Sequence, residues 1–316
     1  MFIRVILILL FIILLFFLFN DYKEDNVVKQ DENIVKQDED VEYLKILNPL
    51  DNSLLVWENS NFTRSNWPDP YYDLEEKKFI FEKCKLNKLN YGIIDVGAHI
   101  GDLAIPLALA LSNIGRDDII VYAIDPSKEK CDFIEKMAKI NSIKNIKVLN
   151  YGLSDSEQIM GHDQIDLNSE ITDRWLNFNL DEVNNLSNTG AQNWKKIEVD
   201  CVDNENKHKT TYDDEKSMFV TADSLLKKKE IGPIGIYHID VEGHEIELLK
   251  GSKKLINEFK PLLFIESFIN IEINDDKCKT KENCPDLFKI LDEISYTLSG
   301  FLPNGDLFLS HHSISK

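Results

Sequence analysis

One short segment combines residue types and a spacing that suit ligand binding, and it reads Asp95-Val-Gly-Ala-His-Ile-Gly101. It overlaps the end of the apolar run Tyr91–Val96 and directly precedes a helical pattern. Gly97 and Gly101 let the backbone turn sharply and approach a ligand closely, because glycine has no Cβ atom. The first N–H groups of the following helix could bind a carboxylate or phosphate. The segment therefore predicts a ligand-binding turn at the carboxyl end of a strand.

A second candidate residue, Asp125, closes the next predicted strand, which begins at Asp118. A carboxylate at a strand end can accept hydrogen bonds from both hydroxyls of a ribose. Together with residues 95–101, Asp125 predicts a nucleoside-containing cofactor at the carboxyl ends of the first two strands.

The spacing in the glycine turn discriminates between cofactor classes. The dinucleotide fingerprint is G-x-G-x-x-G, and His99 stands where its second glycine is required. Asp95, two residues before the first glycine, instead suits a cationic amino acid group. An NAD-linked oxidoreductase is therefore the less favoured alternative, which a preference for NAD in a binding assay would revive.

The segment Ile236–Glu245 concentrates groups that could accept a proton at the end of another predicted strand. Asp240 and Glu242 lie on the same side if the chain is extended there. The pKa of His244 lies near neutrality in the absence of perturbation, so this residue could act as a base. His244 could equally be a solvent-facing residue at a helix start, and Glu242 could interact with the dipole of that helix.

Glu266, at the end of a fifth strand, is a further polar candidate for either the site or the structure. Hard divalent cations prefer carboxylates, so Asp240, Glu242 and Glu266 could hold a metal. We predict no metal site, because no cysteine or histidine spacing suggests zinc and the carboxylate trio is the weaker interpretation.

The elements that must position these residues alternate between strand and helix patterns, which is typical of a parallel sheet covered on both faces. The chain ends with a predicted antiparallel hairpin around Pro303-Asn304-Gly305-Asp306. The predicted strands span 91–96, 118–125, 146–150, 234–240 and 261–266, and the predicted helices span 103–113, 127–141, 245–259 and 285–294.

At this level of detail the sequence resembles the FkbM-type methyltransferases, a branch of the class I S-adenosylmethionine-dependent enzymes. The pattern of that family comprises a D-V-G-A-N-x-G loop, a strand ending in an acid and Pro, T-x-D-x-L, I-D-V-E-G-x-E and P-x-x-x-x-E. The corresponding segments here are 95–101, 125–126, 221–225, 239–245 and 261–266. His99 replaces the usual Asn, and Asp125 stands where Glu is common. The resemblance covers about residues 75–310.

The resemblance implies a Rossmann-like fold whose mostly parallel seven-stranded sheet carries helices on both faces and a C-terminal antiparallel hairpin. It implies O-methylation of a glycan or another hydroxylated small-molecule acceptor, with S-adenosylmethionine as cofactor. Asp240 would face the methyl-transfer site, and Asp125 would hold the ribose. The residues that would line the methionine part are Asp95, Gly97, Ala98 and Gly101. Leu153-Ser154-Asp155 would lie near the adenine.

The first 20 residues predict a transmembrane signal anchor. Fifteen consecutive apolar residues run from Val5 to Phe19. They would span roughly 22 Å as a helix, and Arg4 can snorkel to lengthen this span. A cleaved signal peptide is less favoured, because no small residues follow the apolar run. The positive-inside rule places the N-terminus in the cytosol and the remaining chain in the lumen or outside the cell.

An acidic linker is predicted over residues 21–50, followed by the catalytic domain over 75–312 with an insertion at about 160–216. The sequons at Asn61 and Asn185 are compatible with a lumenal domain. Cys278 and Cys284 could then close a small disulfide.

The charge composition, 36 Lys and Arg against 55 Asp and Glu, gives a net charge of −19 and argues against nucleic-acid partners. The 43% hydrophobic content excludes wholesale disorder. We therefore expect a membrane-anchored methyltransferase of unspecified oligomeric state. The alternative is a catalytically inactive, membrane-tethered binding module that retains the fold.

Overall fold

The computed structural model describes residues 41–66, 70–86, 91–162, 194–196, 216–241, 243–266, 284–302 and 304–313. The predicted anchor at 1–20 and residues 21–40 of the predicted linker lie outside these ranges. None of the helices within them combines the length and hydropathy needed to cross a bilayer.

The described chain begins with two antiparallel strands, β1 (Glu42–Leu47) and β2 (Leu54–Asn59), followed by helices α1 (Asn61–Ser65) and α2 (Leu74–Leu86). Ser60 and Thr63 form a capping box at the start of α1, in which the side chain of each residue accepts a hydrogen bond from the backbone amide of the other. Buried side chains from β2 and α2 join the hydrophobic core of the main sheet. Residues that the sequence analysis assigned to the linker, or left between the linker and the domain, therefore form folded elements that contribute to this core.

The first half of the main sheet alternates strands and helices as predicted. It consists of β3 (Gly92–Val96), α3 (Ala104–Asn113), β4 (Val121–Ile124), α4 (Lys128–Ile140) and β5 (Ile146–Leu149). The three strands pair in parallel, and every residue of β3 and β4 is buried. Burial on both faces explains why these strands read as continuous apolar runs.

The described parts of the predicted insertion contribute to a second, four-stranded sheet. Its strands are β6 (Gly152–Leu153), β7 (Gln158–His162), β8 (Trp194–Lys196) and β9 (Lys216–Val220), in the order β6-β9-β7-β8. Helix α5 (Ala222–Lys227) follows, and the Thr221 side chain caps it by accepting from the Ser224 amide at 3.0 Å.

The chain then returns to the main sheet through β10 (Ile234–Ile239), α6 (Glu245–Lys250), α7 (Lys253–Phe259) and β11 (Leu262–Ile265). The prediction of one helix over 245–259 was wrong. Gly251 and Ser252 break it, because the Gly251 backbone lies directly against the Ser154 carbonyl and the Ser252 hydroxyl donates to the Leu248 carbonyl at 2.7 Å.

Helix α8 (Pro285–Glu293) and the antiparallel hairpin β12 (Tyr296–Phe301) and β13 (Leu307–His311) complete the sheet, whose order is β12-β13-β11-β10-β3-β4-β5. Helices α2, α3 and α4 cover one face, and α5 to α8 cover the other. The prediction of an α/β fold with a mostly parallel seven-stranded sheet is confirmed. The strand order reverses between β3 and β10, where open sheets of this kind bind ligands.

Candidate functional site

The glycine turn after β3 lies between the carboxyl ends of β4 and β10. The amides of Gly97 and Ala98 donate to the Ile124 carbonyl at 2.9 and 3.1 Å. Gly97 has a φ of +76°, and a Cβ atom there would overlap the Asp240 carbonyl oxygen. Only glycine permits this approach, which brings the predicted cofactor turn against Asp240.

Gly101 closes the turn where helix α3 begins. Its φ is +79°, and a Cβ atom would lie 2.9 Å from Ile105 Cγ1 and 3.0 Å from Ile134 Cγ1. The second glycine therefore also serves to pack α3 against α4. Gly97, Ala98 and Gly101 thus share one turn, as predicted.

Asp95 is buried, and one of its carboxylate oxygens has no hydrogen-bond partner among the described residues. Oδ1 lies 2.8 Å from Nδ1 of His238, whereas the buried Oδ2 is unsatisfied. A buried carboxylate oxygen left in this state is costly unless a ligand satisfies it. This oxygen therefore fits the cationic amino acid group that the sequence predicted for the site.

His238 connects Asp95 to helix α2. Its Nε2 lies 3.5 Å from Oε1 of Glu76. Burial alone would lower the pKa of His238, but hydrogen bonds to Asp95 and Glu76 outweigh it and hold the pKa well above its ordinary value. The ring is therefore an imidazolium at neutral pH.

A buried ion pair joins α2 to the turn before α3. Lys77 Nζ lies 2.7 Å from Asp102 Oδ2, and the two side chains are 4% and 14% exposed. Burial raises the pKa of Asp102, while Lys77 opposes that rise. The carboxyl edge thus carries several buried acidic groups compensated by few cations, which favours a positively charged ligand.

Asp125 is buried at the end of β4 and accepts two backbone hydrogen bonds. Oδ2 accepts from the His99 amide at 3.0 Å, and Oδ1 accepts from the Ser127 amide at 2.8 Å. Burial raises the pKa of Asp125, opposed mainly by Lys130. Because an ionised carboxylate has about four acceptor positions, these bonds leave capacity for ribose hydroxyls.

His99 occupies the middle of the turn in a left-handed conformation, with a φ of +49°. The residue is 9% exposed, and neither ring nitrogen has a hydrogen-bond partner among the described residues. Burial, assisted by Lys130, lowers the pKa of His99 to about 3. The imidazole is therefore neutral at neutral pH.

His244 lies at the N-cap of α6 but faces the loop after β6. Its Nε2 lies 3.0 Å from Ser154 Oγ, and its ring packs edge-on against Phe219. Burial lowers the pKa of His244. Ser154 is fully buried and the adjacent Asp155 is exposed. The structure thus joins His244 to the segment predicted to lie near the adenine.

For the remaining candidate residues, Asp240 and Glu242, the structure gives fewer contacts. Asp240 directly follows β10, and its amide donates to the Val96 carbonyl at 3.1 Å. Glu242 lies outside the described residues. Within the described part of the chain, no three His, Cys, Asp or Glu side chains form a metal site.

Sequence reasoning missed the network on the α2 side of the sheet. His238 offered a signal, since it is a polar residue in the otherwise apolar Ile234–Ile239 strand of a sheet predicted to be buried on both faces. Glu76 and Lys77 offered none, because they belong to a charged run that reads as a solvated helix face.

A family model described as "Methyltransferase FkbM domain" matches residues 95–298, more than half of the chain. No curated protein sequence matches the chain.

A search of solved structures also found matches to the chain. The structure titled methyltransferase FkbM from Methylobacillus flagellatus KT is 15% identical, covers 72% of this chain and gives a TM-score of 0.39. A SAM-dependent methyltransferase from Aquifex aeolicus is 12% identical, with 78% of this chain and 94% of that chain covered and a TM-score of 0.39. The present chain spans 45% of the length of the Methylobacillus protein.

Proposed function

Because the chain belongs to the methyltransferase FkbM domain family, whose cofactor is S-adenosylmethionine, we propose that it methylates a hydroxyl oxygen of a glycan or similar acceptor. The observation that carries this proposal is the contact between the glycine turn and Asp240, which only a glycine at position 97 permits. A cofactor in that turn and an acceptor beside Asp240 would lie close together, as group transfer requires.

The residues of the carboxyl edge fit the cofactor. The unsatisfied Oδ2 of Asp95 would bind its ammonium group, and Asp125 would bind its ribose. Gly97, Ala98 and Gly101 would line its methionine part, and Asp155 would lie near its adenine. When bound, the cofactor supplies an electrophilic methyl group on a sulfonium.

Asp240 is the base that we propose for the acceptor proton. A hydroxyl oxygen must lose its proton as it is methylated, and a carboxylate within hydrogen-bond reach can accept it. The lowered pKa of His244 keeps that ring neutral, while its Nε2 is engaged by Ser154. We therefore assign His244 the role of orienting the 153–155 loop. The catalytic role predicted for Glu242, which lies outside the described residues, stays a prediction.

A hydroxylated acceptor also suits the surface beside Asp240. Tyr72 is 41% exposed there. Burial and the nearby carboxylates of Asp73 and Asp240 raise the pKa of Tyr72 to about 12. Carboxylates accept hydrogen bonds from hydroxyl groups, and an aromatic ring offers an apolar face, so both parts of a sugar could be contacted.

The decisive test is Asp240→Asn, assayed for transfer of labelled methyl groups to a panel of sugars and glycosides. Removing the base should lower kcat by about 10²- to 10⁴-fold while cofactor affinity, measured by calorimetry, changes little. Asp132→Asn, at an exposed ion pair on α4, is the matched control and should leave kcat unchanged.

The same experiment separates the enzyme from the inactive binding module. A folded wild-type chain that binds S-adenosylmethionine but methylates no acceptor, with Asp240→Asn indistinguishable from it, would favour the module. Failure to bind the cofactor at all would overturn the methyltransferase proposal.

We propose further that residues 1–20 anchor the enzyme in a membrane with its catalytic domain on the lumenal or extracytoplasmic side. Two observations support this topology. Cys284 is disulfide-bonded, which is typical of oxidising compartments, although its predicted partner Cys278 lies outside the described residues. Asn61, the acceptor of one sequon, is exposed. Protease protection of the domain in sealed vesicles, together with a glycosidase-sensitive mass that Asn61→Gln reduces, would test it.

A further inference from the structure

The central strand β10 carries a histidine whose neighbours are fixed by the register of the sheet. His238 lies opposite Asp95 of β3 on one side and opposite Phe264 of β11 on the other. Its side chain is 14% exposed and points to the face that α2 covers, where it meets Glu76. The arrangement therefore combines sheet register with helix packing.

Each ring nitrogen of His238 faces a carboxylate. Nδ1 lies 2.8 Å from Asp95 Oδ1, and Nε2 lies 3.5 Å from Glu76 Oε1. Both ring nitrogens of an imidazolium are donors, so the two acidic neighbours suit only the protonated ring.

Glu76 is itself held in place from the other side. The amide nitrogen of Asn304, in the β12–β13 connection, donates to Glu76 Oε2 at 2.8 Å and to Asp73 Oδ2 at 3.2 Å. A continuous series of polar contacts therefore runs from Asn304 through Glu76 and His238 to Asp95. It ends at Asp95 Oδ2, which has no hydrogen-bond partner within the described part of the chain.

The charges around this series explain why a cation is needed. Asp95 and Glu76 are buried acidic groups, and the nearby Asp102, 14% exposed, pairs with Lys77 at 2.7 Å. Without a positive charge on His238, Asp95 and Glu76 would be like charges in a dry environment. Their mutual repulsion would then move the Asp95 carboxylate away from the position it holds beside His238. A displaced Asp95 would no longer present Oδ2 to an ammonium group.

We propose that His238 is a positioning residue for the cofactor, because it orients the Asp95 carboxylate so that Oδ2 binds the ammonium of the methionine part. This inference rests on the proposed function, since it takes the ligand of Asp95 to be S-adenosylmethionine. It also assigns Glu76, on a helix before the family match, to the same binding site.

The test compares two ligands that differ in the group that Asp95 would bind. S-adenosylhomocysteine has the amino acid part, whereas 5′-methylthioadenosine retains the adenosine and lacks that part. Calorimetry on the full-length His238→Gln variant should show affinity for S-adenosylhomocysteine lowered about 10- to 100-fold, as expected for losing a charge-assisted hydrogen bond. Affinity for 5′-methylthioadenosine should change less than about twofold, because that ligand makes no contact with Asp95.

Glu76→Gln provides an independent route to the same result. It should lower the affinity for S-adenosylhomocysteine about three- to tenfold, because it weakens the contact between Glu76 and His238 Nε2. The affinity for 5′-methylthioadenosine should again change little. Glu75→Gln is the matched control, because Glu75 is the adjacent residue, is exposed and pairs with Lys78 instead. It should change neither affinity.

The outcomes separate the inference from the proposed function. Equal losses for both ligands in His238→Gln and Glu76→Gln would indicate a purely structural role and overturn the inference alone. Unchanged affinities in both variants would overturn it as well. A folded wild-type chain that binds neither S-adenosylmethionine nor S-adenosylhomocysteine would overturn the proposed function and, with it, the inference.

Discussion

At the scale of single residues, His99 combines a left-handed backbone conformation with a buried imidazole ring. Its left-handed backbone is a conformation that Asn and Gly adopt more readily. Its buried ring has no hydrogen-bond partner among the described residues. The FkbM pattern usually has Asn at this position, which would relieve the backbone. Keeping a histidine there therefore costs stability that depends on pH.

We predict that His99→Asn makes the protein more resistant to acid. Burial lowers the pKa of His99 from 6.5 to about 3 in the folded state. As the pH falls below 6.5, His99 becomes protonated in the unfolded chain but stays neutral in the folded chain, so the free energy of unfolding declines. By linkage this decline amounts to about 1.6 kcal/mol between pH 6.5 and 5.

Urea unfolding of both proteins at pH 6.5 and 5 measures the difference. The wild type should lose about 1.6 kcal/mol more than the variant, because the other titrating groups are common to both. Parallel losses would mean that the ring is protonated, or becomes exposed, without cost.

At the scale of elements, the glycine turn after β3 has no room for a side chain at position 97. We predict that Gly97→Ala costs more than about 3 kcal/mol, since the new methyl group must displace the Asp240 backbone. Cofactor binding should be lost with it. Gly115→Ala separates this overlap from the backbone cost, because Gly115 has a similar φ of +75° and nothing within 4 Å of its Cβ position.

Denaturant unfolding and calorimetry with S-adenosylmethionine would compare the two variants. Gly115→Ala should cost only about 1–2 kcal/mol, the penalty of the left-handed backbone, and should bind normally. Similar losses in both would show that the turn can relax away from β10.

The elements also show how far the sequence could be read. The strands of the parallel sheet and the glycine turn were predictable, because buried parallel strands are apolar runs and the turn needs glycine at fixed positions. The break between α6 and α7 was not, since Gly251 contacts Ser154, about 100 residues earlier. In the site, too, contacts between residues far apart in the sequence could not be predicted. Residues 95–101 and Asp125 follow their strands directly, whereas His238 meets Glu76 only through the packing of α2 on the sheet.

At the scale of the whole molecule, the segment before residue 95 is part of the folding unit although the family model does not include it. Side chains of β2 and α2 complete one hydrophobic core, and Lys77 neutralises Asp102. Removing one partner of a buried ion pair leaves an uncompensated charge, which typically costs about 3–5 kcal/mol.

We therefore predict that Lys77→Met destabilises the protein by about 3 kcal/mol. Lys78→Met, one residue further along the same helix, should change stability by less than about 0.5 kcal/mol, because its ion pair with Glu75 is exposed. Guanidinium unfolding of the two variants gives the comparison. Equal effects would show that α2 is only loosely attached to the domain.

The contact between Asn304 and Glu76 has a consequence for biosynthesis. The two residues are 228 positions apart. A ribosome adding 5–20 residues per second needs roughly 11–46 s to cover that interval. For most of it, the nascent chain contains α2, β3 and the glycine turn without the Asn304 amide that contacts Glu76. The polar series that ends at Asp95 is therefore completed only when the last hairpin has been synthesised, so a chain stalled shortly before it would carry every cofactor-binding residue and still lack a finished binding site.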